Sequence, residues 1–300
     1  MPFSFPRYLL AKQTVDDRAL NRHVYETLLS HVPSETIDII EVGAGIGTMA
    51  ARLLRWGSVT RANYLVVDSM QENIDFAQTW LRQWADKNHL HGEQKEENRL
   101  RLFDDTRDLN LTFACADVFD FIQASPPKAD LLIAHAFLDL LPMPESLSKL
   151  FSLVKSDGLA WLTLNFDGVT SLEPIINAAL DAKIEQLYHQ TMDERPTGGD
   201  SQSGRHLFNY LKDAGAEILA AGSSDWVVYP ENGKYPADEA YFLHFILQFF
   251  EQSLTGHPEL EPKAFADWLK ERRAQIDRGE LVYIAHQMDF LAQRELLKSV

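Results

Sequence analysis

Short apolar runs alternate along the chain with longer stretches in which apolar residues recur every three or four positions, the pattern of strands separated by helices. Strands are predicted at 36–42, 64–67, 111–116, 130–135 and 159–166, then at 216–221 and 281–285. A first helix is predicted at 15–31, where Val15, Ala19, Leu20, Val24 and Leu28 share a face and Pro33 ends the run. Others follow at 48–56, with Gly57 just past the end, and at 72–90, 146–154, 174–188 and 206–214. The stretch 236–278 reads as mostly helical and rich in aromatics, whereas the charged run 91–99 reads as a solvated loop. This alternation predicts an α/β fold with a doubly wound, mostly parallel seven-stranded sheet. The 300 residues fit one such domain with a helical segment at 1–33. Two helical insertions, after the fifth strand (167–205) and between the sixth and seventh (230–279), are expected to cap it. No linker marks a second domain.

Composition narrows the partners. The net charge of −16 opposes nucleic acid, whose binding is dominated by cationic contacts to phosphate. Cys115 is the only cysteine, so no intramolecular disulfide or zinc knuckle can form. Residues 1–7 lack the basic-then-apolar order of a signal peptide, and the apolar run at 241–250 is too short to span a bilayer. A cytoplasmic protein with no membrane partner is expected.

The chemistry gathers at strand ends. The first strand runs into Glu41-Val42-Gly43-Ala44-Gly45-Ile46-Gly47, a loop whose glycines let backbone approach a ligand closely. The second strand stops at Asp68, placed to accept both hydroxyls of a ribose, and the third at Asp117, placed for an adenine edge. Ligands on such sheets bind beyond the carboxyl ends of the strands, where strand order reverses. A dinucleotide fingerprint needs G-x-G-x-x-G, but here the third glycine comes one residue early.

The segment Glu41–Gly47, with Asp68 and with Ala116-Asp117-Val118-Phe119, resembles the motifs of class I S-adenosylmethionine-dependent methyltransferases. The resemblance covers 36–166 well and the rest by topology. It implies strand order 3-2-1-4-5-7-6, with the last strand antiparallel. It also implies S-adenosyl-L-methionine held by Glu41, Gly43, Ala44, Gly45, Gly47, Asp68, Ser69, Met70, Asp117, Val118 and His135. Methyl transfer would then occur beside the residues after the fourth strand, 135–142.

His135 and His189 are the candidate proton acceptors. Tyr8, Tyr188, Arg205, Asp225 and Trp226 are the candidates for binding a small-molecule acceptor, with Arg18 and Arg195 as further cations. Asp139 reads as a turn residue. Asn165 and Asp167 supply only part of a magnesium site, so no metal is expected. The aromatic stripe of 238–250 is expected to pack on the core or on a second copy of the chain. The rival readings are a nicotinamide-dependent oxidoreductase and a non-catalytic methyltransferase-like binding protein.

Overall fold

The computed structural model describes residues 3–33 and 35–294. Its centre is a sheet in which β1 (Ile37–Val42), β2 (Arg61–Asp68), β5 (Asp108–Cys115), β6 (Ala129–His135) and β7 (Val154–Glu173) run parallel. The last strand, β10 (Val282–Arg294), is antiparallel to both β7 and β8 (Ala216–Ser223). These seven lie in the order β5-β2-β1-β6-β7-β10-β8, which is the expected 3-2-1-4-5-7-6.

Three further strands correct the seven-strand count. The run expected to be a solvated loop forms a hairpin, β3 (His91–Glu96) and β4 (Arg99–Phe103), that extends the sheet beyond β5. Alternation explains it: Leu100 and Leu102 are buried while β3 is nearly all exposed and polar, as suits an edge. The third, β9 (Trp226–Val228), pairs with β10. β7 runs to Glu173, well past the expected 166, because β10 pairs along nearly its whole length.

Helices cover both faces. One face carries α4 (Thr48–Trp56), whose last turn is closed by the left-handed Gly57 (φ 70°), and α5 (Gln71–Lys87). The other carries α6 (Val118–Gln123), α7 (Glu145–Phe151) and α9 (Ser203–Asp213).

The leading segment is three helices, α1 (Phe5–Ala11), α2 (Gln13–Ala19) and α3 (Arg22–His31), not the single run expected. Leu20 leaves the helical conformation, and the Asn21 side chain caps α3 by accepting from Val24 N–H. Asn21 also docks the segment: its N–H donates to the buried Asp289 (2.8 Å) and its amide to Ser223 O (2.8 Å).

The insertions supply α8 (Ala178–Asp193), α10 (Glu239–Leu254) and α11 (Pro262–Asp277). α10 packs on α1, α8 and α11, so its aromatic stripe lies largely within the chain, with Phe242 and Phe250 fully buried. No helix among the described residues is long and apolar enough to cross a membrane.

Candidate functional site

A cavity of about 550 Å³ opens beyond the carboxyl ends of β1, β2, β5 and β6. Of the expected cofactor residues, Glu41, Gly43, Ala44, Gly45, Asp68, Ser69, Met70, Asp117, Val118 and His135 line it. Gly47 lies behind the wall, its Cα facing Leu81 of α5. Gly43 and Gly45 take left-handed conformations, φ 63° and 56°. A Cβ on Gly43 would sit 2.2 Å from the Phe137 ring, and one on Gly45 2.8 Å from Leu9. The loop is therefore glycine both for its turn and because α1 and the segment after β6 close upon it.

Asp68, the last residue of β2, braces this loop. Its Oδ2 accepts from Gly45 N–H (2.8 Å), and Oδ1 accepts from Met70 N–H (2.9 Å) and Asn73 Nδ2 (3.0 Å). Oδ1 is saturated, which leaves one acceptor direction on Oδ2. The expectation that Asp68 takes both hydroxyls of a ribose is corrected: it has room for one. Asn73, which the sequence did not single out, stands beside Asp68 with an acceptor of its own. Donation to Asp68 fixes its amide, and its buried Oδ1 has no partner among the described residues although the residue lines the cavity. A buried acceptor left single in this way fits a ligand hydroxyl.

Asp117 caps α6, both bonds (from Phe119 and Asp120 N–H) falling on Oδ1. Oδ2 makes no hydrogen bond with a described residue, and Asp117 lines the cavity together with Met70, Val118 and Phe119. Glu41 is buried and accepts from the Tyr64 hydroxyl (2.7 Å). Burial pushes its carboxyl up to about 8, against that hydrogen bond and the nearby Arg52.

The opposite wall is a network of buried charge. α1 and α2 bring Phe5, Leu9 and Lys12 to the cavity and place Asp16, fully buried, behind it. Asp16 meets Lys12 Nζ (3.3 Å), His135 Nε2 (3.1 Å) and Trp226 Nε1 (2.9 Å), with Arg52 at 3.9 Å. Burial opposes ionisation of this carboxyl, yet Lys12, His135 and Arg52 outweigh it and hold Asp16 well below the usual carboxylate range.

An ionised Asp16 can only accept, so His135 donates from Nε2, and its Nδ1 accepts from the Thr163 hydroxyl (2.7 Å). Burial pushes His135 down to about 4, despite Asp16. Neutral, with both nitrogens engaged, His135 has no lone pair free for a proton, which corrects its expected role as a base. It is a structural link between α2 and β7.

The remaining candidates do not line the cavity. His189 bonds Thr170 (2.9 Å), and burial lowers its pKa. Arg205 is held twice by Asp167 (2.9 and 3.1 Å), and Arg18 by Glu239, so each guanidinium is paired within the chain away from the cavity. Asp225 pairs with His286 (2.7 Å), and Trp226 serves Asp16. Tyr8 stacks on Phe245 at 4.5 Å and Tyr188 on Phe250 at 3.9 Å. Asn165 donates to Leu162 O and Met288 O, and among the described residues no cluster suited to a metal ion occurs.

No protein-family model matches the sequence, and no curated protein matches it significantly. Solved structures do resemble it in fold. A candidate methyltransferase from Bacillus halodurans superposes with a TM-score of 0.50 at 11% identity, over 91% of this chain and 99% of that one. A candidate type II methyltransferase from Anaeromyxobacter dehalogenans gives 0.49 at 14%, over 91% and 96%. At 11% identity the first likeness is one of fold alone, and the strand order is that of the class I methyltransferase architecture.

Proposed function

We propose that the chain is an S-adenosylmethionine-dependent methyltransferase acting on a small-molecule acceptor. One observation carries the reading. A left-handed glycine loop after β1 is braced by a strand-end carboxylate, beside an orphaned Asn73 oxygen and an open Asp117 oxygen. Those acceptors match the donors of an adenosine, namely two ribose hydroxyls and an exocyclic amine. No pyrophosphate cradle is needed.

The cofactor, when bound, supplies a methyl group on a sulfonium cation. Asp68 provides the negative field such a cation prefers and is fixed before binding, whereas Glu41, its carboxyl pushed up to about 8, contributes a polar group held by Tyr64. Phe5 and Leu9 of α1 line the cavity, with Leu9 packed against Gly45 of the loop, and give it an apolar cover. The segment after β6, with Phe137, Leu141 and Pro142 in the wall, orients the acceptor for in-line attack. Because His135 is fully engaged, acceleration through positioning is the main contribution of this wall.

Isothermal titration tests the reading. S-adenosylhomocysteine binds at one site per chain, NADH does not, and Asp68→Ala lowers the affinity at least tenfold, as loss of a charged acceptor should. A folded protein that binds NADH and ignores S-adenosylhomocysteine overturns it.

A further inference from the structure

Three carboxyl groups line the cavity, and they are held differently. Asp68 accepts from two backbone N–H groups and the Asn73 amide, and Asp117 accepts from two backbone N–H groups. Bonds of that kind favour the charged form of a carboxyl. Glu41 has one donor, the buried Tyr64 hydroxyl on Oε2. Its Oε1 has no partner among the described residues. Unlike Asn73 Oδ1 it is not sealed off, so it opens on the cavity that Glu41 lines.

No cation is bonded to Glu41 among the described residues. β1 places it between Val66 of β2 and Ile133 of β6, both apolar and buried. α4 brings Arg52 near, but that guanidinium bonds Asp17 (2.6 Å), lies 3.9 Å from Asp16 and makes no ion pair with Glu41. Asp68, at the end of β2, adds like charge. Across the cavity the Lys12 ammonium faces Asp16 (3.3 Å), and His135 of β6 is neutral with both nitrogens engaged. A carboxyl only 2% exposed, with a neutral hydroxyl as its single donor, keeps its proton, because burial penalises the charged form.

S-adenosylmethionine carries what this corner lacks, a sulfonium and an α-ammonium. Resting on the methyl-transfer reading, we infer that Glu41 is neutral in the empty site and ionises as the cofactor binds. Binding then releases a proton and favours ligands with the cationic amino-acid end over adenosine ligands without it. The O–H bond of Glu41 breaks, the proton leaves to the buffer, and the carboxylate left behind faces the ligand cation. Attraction at low dielectric offsets the cost of ionising a buried group.

The test is titration calorimetry of the full chain at pH 7 in phosphate and in Tris. Their heats of ionisation differ, so the difference in binding enthalpy counts the protons released. S-adenosylhomocysteine, which keeps the α-ammonium, releases most of one proton per site, and 5′-methylthioadenosine, which lacks the amino acid, releases none. Affinity for S-adenosylhomocysteine rises roughly three- to tenfold from pH 6 to pH 7, tenfold being the limit for one proton. Glu41→Gln retains an acceptor for Tyr64 but cannot ionise, so it binds without proton release and without that rise. Enthalpies that agree between buffers, or a release that persists in Glu41→Gln, overturn the inference while normal S-adenosylhomocysteine binding leaves the methyltransferase reading standing. Equal release by the two ligands on the native chain overturns it as well, whether or not the variant folds. A chain that does not bind S-adenosylhomocysteine loses both.

Discussion

The two walls of the cavity are built on opposite principles. The glycine-loop wall is local: each acceptor stands at the end of a strand or one turn into the next helix, and its bonds stay within a few residues or reach the adjacent strand. The opposing wall is assembled from across the chain, with Lys12, Asp16, Arg52, His135, Thr163 and Trp226 meeting around one buried carboxylate. The first wall leaves polar atoms open for a ligand, whereas the second uses nearly all of its own. Changes to the first should therefore cost binding, and changes to the second should cost stability.

The largest effect is expected at the hub. Asp16→Asn leaves Lys12 and Arg52 without their shared countercharge and should lower unfolding free energy by about 3–5 kcal/mol, as breaking a buried ion pair does. Urea denaturation checks this; a loss below about 1 kcal/mol would dissolve the contrast between the walls.

Next comes pH. The folded-state pKa of His135 lies near 4, below its unfolded value near 6.5, so its contribution is fully present above 6.5. As pH falls from 6.5 toward 4 the unfolded chain takes up a proton that the folded protein refuses, and stability drops by about 2–3 kcal/mol. Comparing unfolding curves at pH 7 and pH 4.5 for the native chain and His135→Gln measures it. The variant should lose this part of the slope.

On the loop wall, Gly43→Ala meets both a left-handed φ and the Phe137 ring, whereas Gly57→Ala meets the φ alone, with open space around it. Gly57→Ala should cost about 1 kcal/mol and leave ligand affinity intact. Gly43→Ala should cost somewhat more and lower S-adenosylhomocysteine affinity at least tenfold, measured by titration. Equal affinities in the two variants would show that the loop does not touch the ligand.

The contrast also explains what could be read from sequence. The glycine loop, Asp68 and Asp117 were legible because strand-end chemistry is contiguous, and the order of seven strands followed from the class those motifs resemble. Asn73 was not, since its meaning lies in one amide oxygen left over after its nitrogen bonds Asp68. Lys12 and Asp16 did not stand out, for nothing in the chain near residue 16 announces a tryptophan 210 positions away. His135 was visible, but its role was not, because Thr163 and Asp16 decide it from two other elements. The β3–β4 hairpin was hidden by a polar edge strand whose only apolar signal sits in its partner.

The smallest effect is the most specific. Asn73→Ala removes one neutral acceptor, and with it the amide that donates to Asp68, and should weaken S-adenosylhomocysteine about fivefold, near 1 kcal/mol.

A crystal structure of the chain with S-adenosylhomocysteine tests the central claim most directly. One ribose hydroxyl is expected on Asp68 Oδ2, the other on Asn73 Oδ1, and the exocyclic amine at Asp117. A cofactor lying elsewhere, or a ribose held by Asp68 alone with Asn73 Oδ1 still unpaired, would contradict it.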